Sequence, residues 1–594
     1  MSDRLSWGFA LHPQALPLLR RLLERGLIDR IASPADGVAW GSGELPNLLA
    51  SEWQRSRSFV AVGACGAITR LIAPHLDHKS SDPAVVVLDP QGRHAIPLLG
   101  GHGAGAEALA QSIAALLGGE AVLTGGSQSR GQLALDSFGS SWGWRRSQGP
   151  WDALMKTAAR TEPVQLEHQH GNGRWLELQG LPDATASGPR LSVGVERELS
   201  SGCRWHPPAL WIGMGCERGT SLTLLERGLH QALAAHGLAE EAVAGLATAD
   251  RKADEVALLE LAQRHGWPLR CFNSAQLSGV AVPNPSPVVQ AELGTPSVAE
   301  AAALLASGPG GELRVEKRIE RAEAGEQGAA TVAIAQAACQ WAPQRGRLHL
   351  IGSGPGSLDL LTPDARAALA ASCVWVGYGL YLDLLEPLRR PDQLRSDGQL
   401  TQERERCREA LELACQGLTV ALVSSGDSGI YGMAGLALEQ WMALAEHDRP
   451  AFEVHPGLSA LQLAAARAGA PLMHDFCTVS LSDRLTPWDV IERRLMAAAA
   501  GDFVVALYNP RSKGRDWQLG RAQEMLLAHR PATTPVVVAR QLGRPEEAVS
   551  LHTLAELPID QIDMLTLVLI GNSSSRVEGG RMVTPRGYPG AELS

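Results

Sequence analysis

Short apolar runs alternate with long Ala/Leu/Glu/Arg stretches of helical period along the whole sequence, and no other feature constrains the fold as much. Val85–Leu88, Leu210–Ile212, Leu348–Ile351, Thr419–Val423, Phe503–Leu507 and Pro535–Val538 read as buried strands with helices between them. An α/β chain is expected throughout. At 594 residues it needs several hydrophobic cores. Polar or Gly-rich stretches at Leu181–Arg190, Gly308–Gly311 and Gln340–Arg347 mark the breaks. They suggest a first region to about 205, a second to about 340 and a third to the end, drawn more finely as 1–125, 126–205, 206–340, a linker at 341–347, and 348–594. No internal repeat, coiled coil or low-complexity tail is evident.

Charge narrows the partners. The chain has 53 Lys+Arg against 63 Asp+Glu, a net charge of -10, and no basic block. A nucleic-acid or anionic-membrane surface is therefore not expected. Apolar residues near the start are soon broken by His12, Pro13 and Pro17, so a signal peptide is not expected either. Nine cysteines stand without a CxxC pair, which indicates neither a zinc site nor a disulfide framework and fits a reducing cytoplasm. No metal ligand set is identified.

Two glycine-rich segments follow strands in the last region. Leu350–Gly356 holds Gly354, Pro355 and Gly356 and leads to Thr362, a candidate helix cap ahead of Pro363. Val423–Ala434 contains Gly426, Asp427, Gly429, Ile430 and Tyr431. Either loop alone could simply turn the chain. Two at strand ends favour a shared crevice, because ligands of open α/β sheets lie beyond the carboxyl ends of the strands. Pro355 departs from the dinucleotide fingerprint, and no acidic residue waits at the end of a second strand, which counts against a nicotinamide oxidoreductase. A third loop, His455–Ala460, places Ser459 to cap a helix or meet the ligand beside Ala460. Arg484, Arg511, Lys513 and Arg515 cluster near loops and would suit an acidic ligand, although solvated surface charge explains any one of them alone.

Together with Val376–Tyr378, Asp475–Phe476, Ser480–Asp483, Tyr508–Arg511, Ile570–Asn572 and Thr584–Tyr588, these loops resemble the precorrin-3B C17-methyltransferases over about 245 residues. The resemblance implies a two-domain tetrapyrrole-methyltransferase fold, usually dimeric, that joins S-adenosylmethionine to a tetrapyrrole in the cleft between its domains. Gly354, Pro355, Gly356, Gly426, Asp427, Gly429, Ile430, Tyr431, Ser459, Ala460 and Asn509 would hold the methyl donor. Arg484, Arg511 and Arg586 would meet the substrate's acetates and propionates through guanidinium forks. Asp483 or Tyr508 would assist proton transfers. The electron-rich macrocycle carbon and the activated sulfonium need alignment and exclusion of water more than a strong base. Ser357 stands where the family often has Asp.

Earlier in the chain, Leu98–Glu107 and Trp211–Thr220 repeat the strand, glycine loop and helix order. The first loop can hold a carboxylate at the helix start, and His102 and Glu107 offer acid/base chemistry. In the second, Thr220 or Ser221 is a candidate cap, and Cys216 reads as structural for want of a histidine nearby in sequence. Asp250–Glu255 reads as an acidic helix start with Lys252 and Glu255 on one face. With Ala281–Pro287, Ser297–Ala303 and two later strands, these segments resemble the cobalt-precorrin-5A hydrolases over about 5–335. That resemblance implies α/β hydrolase-type domains that open a δ-lactone and release acetaldehyde. His102 or Glu107 would then be the base, and Gly213–Thr220 would stabilise the oxyanion. Glu107 stands where that family commonly has Asn. The two resemblances imply a bifunctional enzyme acting on small tetrapyrroles, with a cobalt-loaded substrate favoured. The alternative is a methyltransferase fused to a non-catalytic tetrapyrrole-binding module.

Overall fold

The computed structural model describes residues 4–34, 40–41, 43–78, 81–101, 104–123, 132–197, 202–341, 346–399, 402–512 and 514–588. His102, Lys513 and residues 342–345 of the expected linker lie outside them. The chain is a multidomain α/β protein, with sheets that succeed one another in sequence order.

The first sheet has its strands in the order Arg30–Ala32, Ser6–Ala10, Ser58–Val62, Ala84–Leu88, His94–Leu99, Glu120–Ala121. It is parallel except where His94–Leu99 runs against Ala84–Leu88. Ala84–Leu88 is buried along its full length because helices cover both faces. Helix Ala106–Leu117 begins one residue after Gly105, whose φ of +82° suits a residue without Cβ. A later sheet runs in the order Leu269–Phe272, Val243–Ala249, Leu210–Cys216, Ala329–Gln336, Glu312–Arg321. Helix Ala299–Ser307 crosses it so closely that a Cβ on Gly213 would lie 1.8 Å from the Ala299 carbonyl oxygen.

Between these stands a small sheet of Arg145–Arg146, Cys203–His206, Arg190–Val193 and Gln165–His168. Its tryptophans Trp142, Trp144, Trp151, Trp175 and Trp205 are all buried, and they share one continuous core with Leu348, Leu350, Val420, Leu422 and helix Glu403–Cys415 of the last region. Polar groups lock the seam. Gln340 accepts from Trp144 Nε1 at 2.7 Å and donates to the carbonyls of Trp142 and Gln416 at 3.0 and 3.1 Å. Arg174 donates to Glu409 at 2.6 Å.

The last region contains two further five-stranded sheets. One is parallel, in the order Leu394–Gly398, Val374–Tyr378, Thr419–Ser424, Arg347–Gly352, Ala451–His455. Leu348, Leu350, Val420 and Leu422 face the tryptophan core, whereas Ile351, Trp375, Ala421 and Val423 face helix Pro363–Ala371. This is the period-2 alternation of a sheet buried on both sides. The other sheet runs in the order Phe476–Ser480, Val504–Tyr508, Thr566–Ile570, Pro535–Arg540, Ala548–Thr553, and only its first pair is parallel. Helix Pro363–Ala371 also packs on Ala106–Leu117 of the first domain, and Arg25 pairs with Asp364 at 2.9 Å.

Candidate active sites

A cavity of about 180 Å³ opens between the two sheets of the last region. Strand ends build it. The Arg347–Gly352 strand delivers Pro355, the Thr419–Ser424 strand delivers Ser425–Asp427, Ile430 and Tyr431, and the Val504–Tyr508 strand delivers Tyr508 and Asn509. Ser459 and Ala460 enter from the start of helix Ala460–Ala468. Gly354 and Gly426 exchange backbone hydrogen bonds of 3.0 and 2.8 Å, so the two glycine loops form one surface. Both glycines have positive φ, +72° and +66°, which other residues rarely adopt. Asp427 fastens this surface from behind. Its Oδ1 accepts from Gly429 N at 2.8 Å and its Oδ2 from Gly457 N at 3.0 Å.

Strain concentrates at the same place. Of five non-glycine residues with positive φ among the described residues, Tyr431, Asn509 and Gln541 line this one cavity. Such backbone costs on the order of 1–3 kcal/mol per residue unless the surroundings hold it, and it clusters where a ligand is gripped. The holding contacts are present. Asn509 Nδ2 donates to Ser480 Oγ at 3.1 Å, and its carbonyl accepts from Arg515 at 2.7 Å. Gln541 Nε2 donates to Glu546 at 2.7 Å, and the Tyr431 hydroxyl donates to Thr478 Oγ1 at 3.3 Å. The Tyr508 hydroxyl accepts from Leu461 N at 3.2 Å, and burial raises its pKa, so it is held as a phenol rather than a phenolate.

The expected polar residues do not all converge. Asp483 lies outside the cavity lining and accepts from Gln518 Nε2 at 2.9 Å, which occupies it structurally. Arg511 is turned to the Ile559 carbonyl at 2.8 Å and to Asp560 at 3.3 Å, away from the role of meeting a ligand carboxylate. Arg484 and Arg586 are exposed and do not line the cavity. Gly354, Gly356 and Gly429 shape the loops without lining it. Ser459 forms a capping box with Gln462, and Thr362 caps its helix through Ala365 N.

A second cavity, about 240 Å³, lies where the first domain, the tryptophan-rich region and the last region meet. Gly101, Gly105, Glu107 and Gln111 line one side, Gln132–Ala134, Ser137 and Phe138 another, and Arg390–Asp392 close it. Glu107 sits buried in the first turn of helix Ala106–Leu117. No residue of the Gly213–Thr220 loop is among the lining, so the structure does not join that loop to Glu107. The loop instead belongs to a cluster of its own. Gly219 N donates to Glu255 Oε1 at 2.9 Å, and Lys252 Nζ lies 3.5 Å from Glu255 Oε2 with both side chains largely buried. Lys252 and Glu255 are thus an internal pair rather than a solvated helix face, and the helix begins after them, at Val256–His265. Ser221 makes no side-chain cap, and Thr220 Oγ1 donates to the Glu217 carbonyl instead. Burial pushes the Cys216 thiol up to about 11, which leaves it a poor nucleophile at neutral pH.

Comparison with known proteins gives the family context. Residues 347–558 match the family described as Tetrapyrrole (Corrin/Porphyrin) Methylases. The chain is 48% identical over 243 residues to a probable cobalt-factor III C(17)-methyltransferase of Salmonella typhimurium, covering 41% of this chain and 99% of that one. The chain belongs to the tetrapyrrole methylases. A precorrin-3B C(17)-methyltransferase of Sinorhizobium sp is 43% identical, with 41% of this chain and 98% of the relative covered. The crystal structure of the methyltransferase CobJ is 40% identical, covering 40% of this chain and all of that one at a TM-score of 0.39. Ahead of the methylase region, residues 47–128 match Cobalamin synthesis G N-terminal and 210–335 match Cobalamin synthesis G C-terminus. The buried Glu107 lies in the first of these, and the Lys252–Glu255 pair in the second.

The sequence reading missed several residues of the methylase cavity, among them Tyr381, Gln541, Arg544 and Thr566. A usable signal was the Gln541–Arg544 turn that follows the Pro535–Val538 apolar run, with Gly543 at a φ of +70°. Gly543 packs so near the first glycine loop that a Cβ on Gly356 would lie 2.9 Å from its carbonyl oxygen.

Proposed function

We propose that this chain is a bifunctional enzyme of cobalamin biosynthesis, which methylates C17 of cobalt-precorrin-3 or precorrin-3B with ring contraction and opens the δ-lactone of cobalt-precorrin-5A. The carrying observation is the methylase cavity, where two glycine loops, a helix start and Tyr508–Asn509 meet on strained backbone. It fits S-adenosylmethionine. A Cβ on Gly426 would have nothing closer than 3.8 Å, so that backbone is open to a flat ligand. S-adenosylmethionine supplies an activated methyl on a sulfonium.

Pro355, Gly426, Ile430, Tyr431, Ser459, Ala460 and Asn509 provide the walls that hold the donor. Asp427 acts indirectly, by keeping the loops at fixed separation. Arg544 is the cation inside the cavity and is assigned to a substrate carboxylate. Exposed Arg484 and Arg586 are assigned to carboxylates at the macrocycle's periphery. Tyr508, kept protonated, is a proton donor or hydrogen-bond donor rather than a base. Asp483, on Gln518, orients its own loop. Fixing donor and nucleophile in a closed cleft converts an encounter into a step within one complex.

For the hydrolase reaction, Glu107 is assigned as the base that activates water. It is buried at the cavity wall beside the backbone of Gly101 and Gly105. The methylase region is assigned the contact of a homodimer, and the cytoplasm is the assigned compartment. The cysteines form no disulfide among the described residues, and no described helix is long and apolar enough to cross a membrane.

Incubating the whole protein with cobalt-precorrin-3 and a labelled methyl donor tests the methyltransferase, read as one labelled methyl gained by mass. Supplying cobalt-precorrin-5A and assaying acetaldehyde tests the hydrolase. Acetaldehyde that persists unchanged in Glu107→Gln overturns the base assignment. Its absence from a folded, methylating protein leaves the fused segment as a binding module.

A further inference from the structure

Three side chains that neither cavity uses meet at the edge of the parallel sheet in the methylase region. The register pairs His349 with Glu453 and Ile351 with His455, so His349, Glu453 and His455 project from one face. His349 Nδ1 lies 2.9 Å from His455 Nε2, and Glu453 Oε2 stands 3.7 Å from each of those nitrogens. Both imidazoles are buried, and Glu453 is half-exposed. Asp364 Oδ2 accepts from His455 Nδ1 at 2.7 Å, which turns the bare Nε2 of His455 toward His349. The other oxygen of Asp364 binds Arg25 of the first domain at 2.9 Å. A cavity of about 620 Å³ at the domain seam opens on the group, with Leu27, Ser112 and Leu116 on its far wall.

We infer that His349, His455 and Glu453 form a binding site for one divalent transition ion of the zinc class, with Asp364 orienting His455 and the fourth position open to the seam cavity. Ligand atoms about 2.1 Å from a shared tetrahedral centre stand roughly 3.4 Å apart, so the spacing needs shifts of only a few tenths of an ångström. Two imidazoles with one carboxylate suit zinc or cobalt(II), whereas magnesium and calcium take oxygen donors. A carboxylate on the far nitrogen of a ligating histidine is the usual support for such a ring. Arg347 occupies Glu453 Oε1 at 3.3 Å and leaves Oε2 to the histidines. His349 offers Nδ1 to an ion as a neutral ring that carries its proton on Nε2. In sequence the group is unremarkable, because His349 stands a hundred positions from the other two and no CxxC or HxxxH spacing announces it.

Calorimetric titration of metal-stripped, untagged full-length protein with Zn²⁺, Co²⁺ and Mg²⁺ tests the site. One equivalent of Zn²⁺ is expected, with no uptake of Mg²⁺, and Co²⁺ gives the intense visible bands of a four-coordinate ion. His349→Gln and His455→Gln each abolish that uptake, and Asp364→Asn weakens it by about 10–100-fold. The exposed His474→Gln serves as control and leaves uptake unchanged. Absence of saturable zinc uptake overturns the proposal, as does undiminished uptake in His455→Gln. Should the buried variants misfold, Glu453→Gln on the half-exposed ligand decides it: a Co²⁺ spectrum that does not move with this change rejects the site.

Discussion

Asp427 ties the loops of the cavity together, each of its two oxygens accepting a backbone hydrogen bond, from Gly429 N and Gly457 N. Asp427→Ala removes two charge-assisted bonds of about 1.5–3 kcal/mol each. Calorimetry of S-adenosylmethionine binding should show affinity falling about 10- to 100-fold while the fold persists. Cys216 yields an opposite kind of prediction. With its thiol pushed up to about 11, the reactive thiolate is about one part in ten thousand at pH 7. Timed alkylation followed by peptide mass spectrometry should label exposed Cys339 long before Cys216, and Cys216→Ser should leave acetaldehyde release unchanged. Residues of this kind differ in how far a sequence reveals them. Pro355, Gly426, Asp427, Tyr431 and Asn509 were readable because they sit in motifs beside strand ends. Arg544 was not, since an arginine after Gly543 is chemically indistinguishable from surface charge until the chain is folded. Asp483 and Arg511 looked equally suitable in sequence and were claimed by Gln518 and Ile559, partners set by tertiary packing.

Strands and helices were more legible than their ends. Helix Ala106–Leu117 and the buried strands follow from apolar period, and Thr362 with Pro363 announces its helix correctly. Neither hydroxyl caps the helix: Thr220 turns back to the Glu217 carbonyl, and Ser221, at the N-cap position, bonds the backbone of Gln327 instead. Asp250–Glu255 leads into its helix as a 3-10 turn, Asp250–Lys252, with Glu255 at the N-cap position of Val256–His265 and its carboxylate turned inward to Gly219 N and Lys252. Loop contacts at strand ends are the most sensitive structural elements. A Cβ on Gly457 would lie 2.0 Å from the Gly426 carbonyl oxygen, so Gly457→Ala must force the second and third loops of the methylase cavity apart. Overpacking of this kind costs about 1–3 kcal/mol. Methyl-donor binding should be lost with only a small fall in melting temperature, a pairing that calorimetry and thermal unfolding read together.

At the scale of the molecule, the regions inferred from composition are not independent bodies. The 126–205 segment reads as a region of its own, yet its tryptophans pack against Leu348, Leu350, Val420 and Leu422. Sequence pattern cannot show this, because a strand buried by its own domain and one buried by a neighbour have the same apolar character. Trp175→Ala, in the segment before the methylase, should therefore lower the unfolding temperature of the methylase region as well. The expected loss is about 3–5 kcal/mol, and one shared transition is expected in differential scanning calorimetry. Two separated transitions, with the later one unmoved, would refute the shared core. Cutting the chain near residue 340 should leave both pieces with exposed apolar surface, so the two reactions are best assayed on the intact protein.

The shared core also orders events during synthesis. A ribosome releases the tryptophan-bearing segment before it has made the sheet that covers it. At about 5–20 residues per second, the roughly 200 residues from Trp205 to Leu422 take on the order of 10–40 seconds to appear. Throughout that interval a nascent chain displays several indole rings to solvent, and its yield depends on what shields them until the second half arrives.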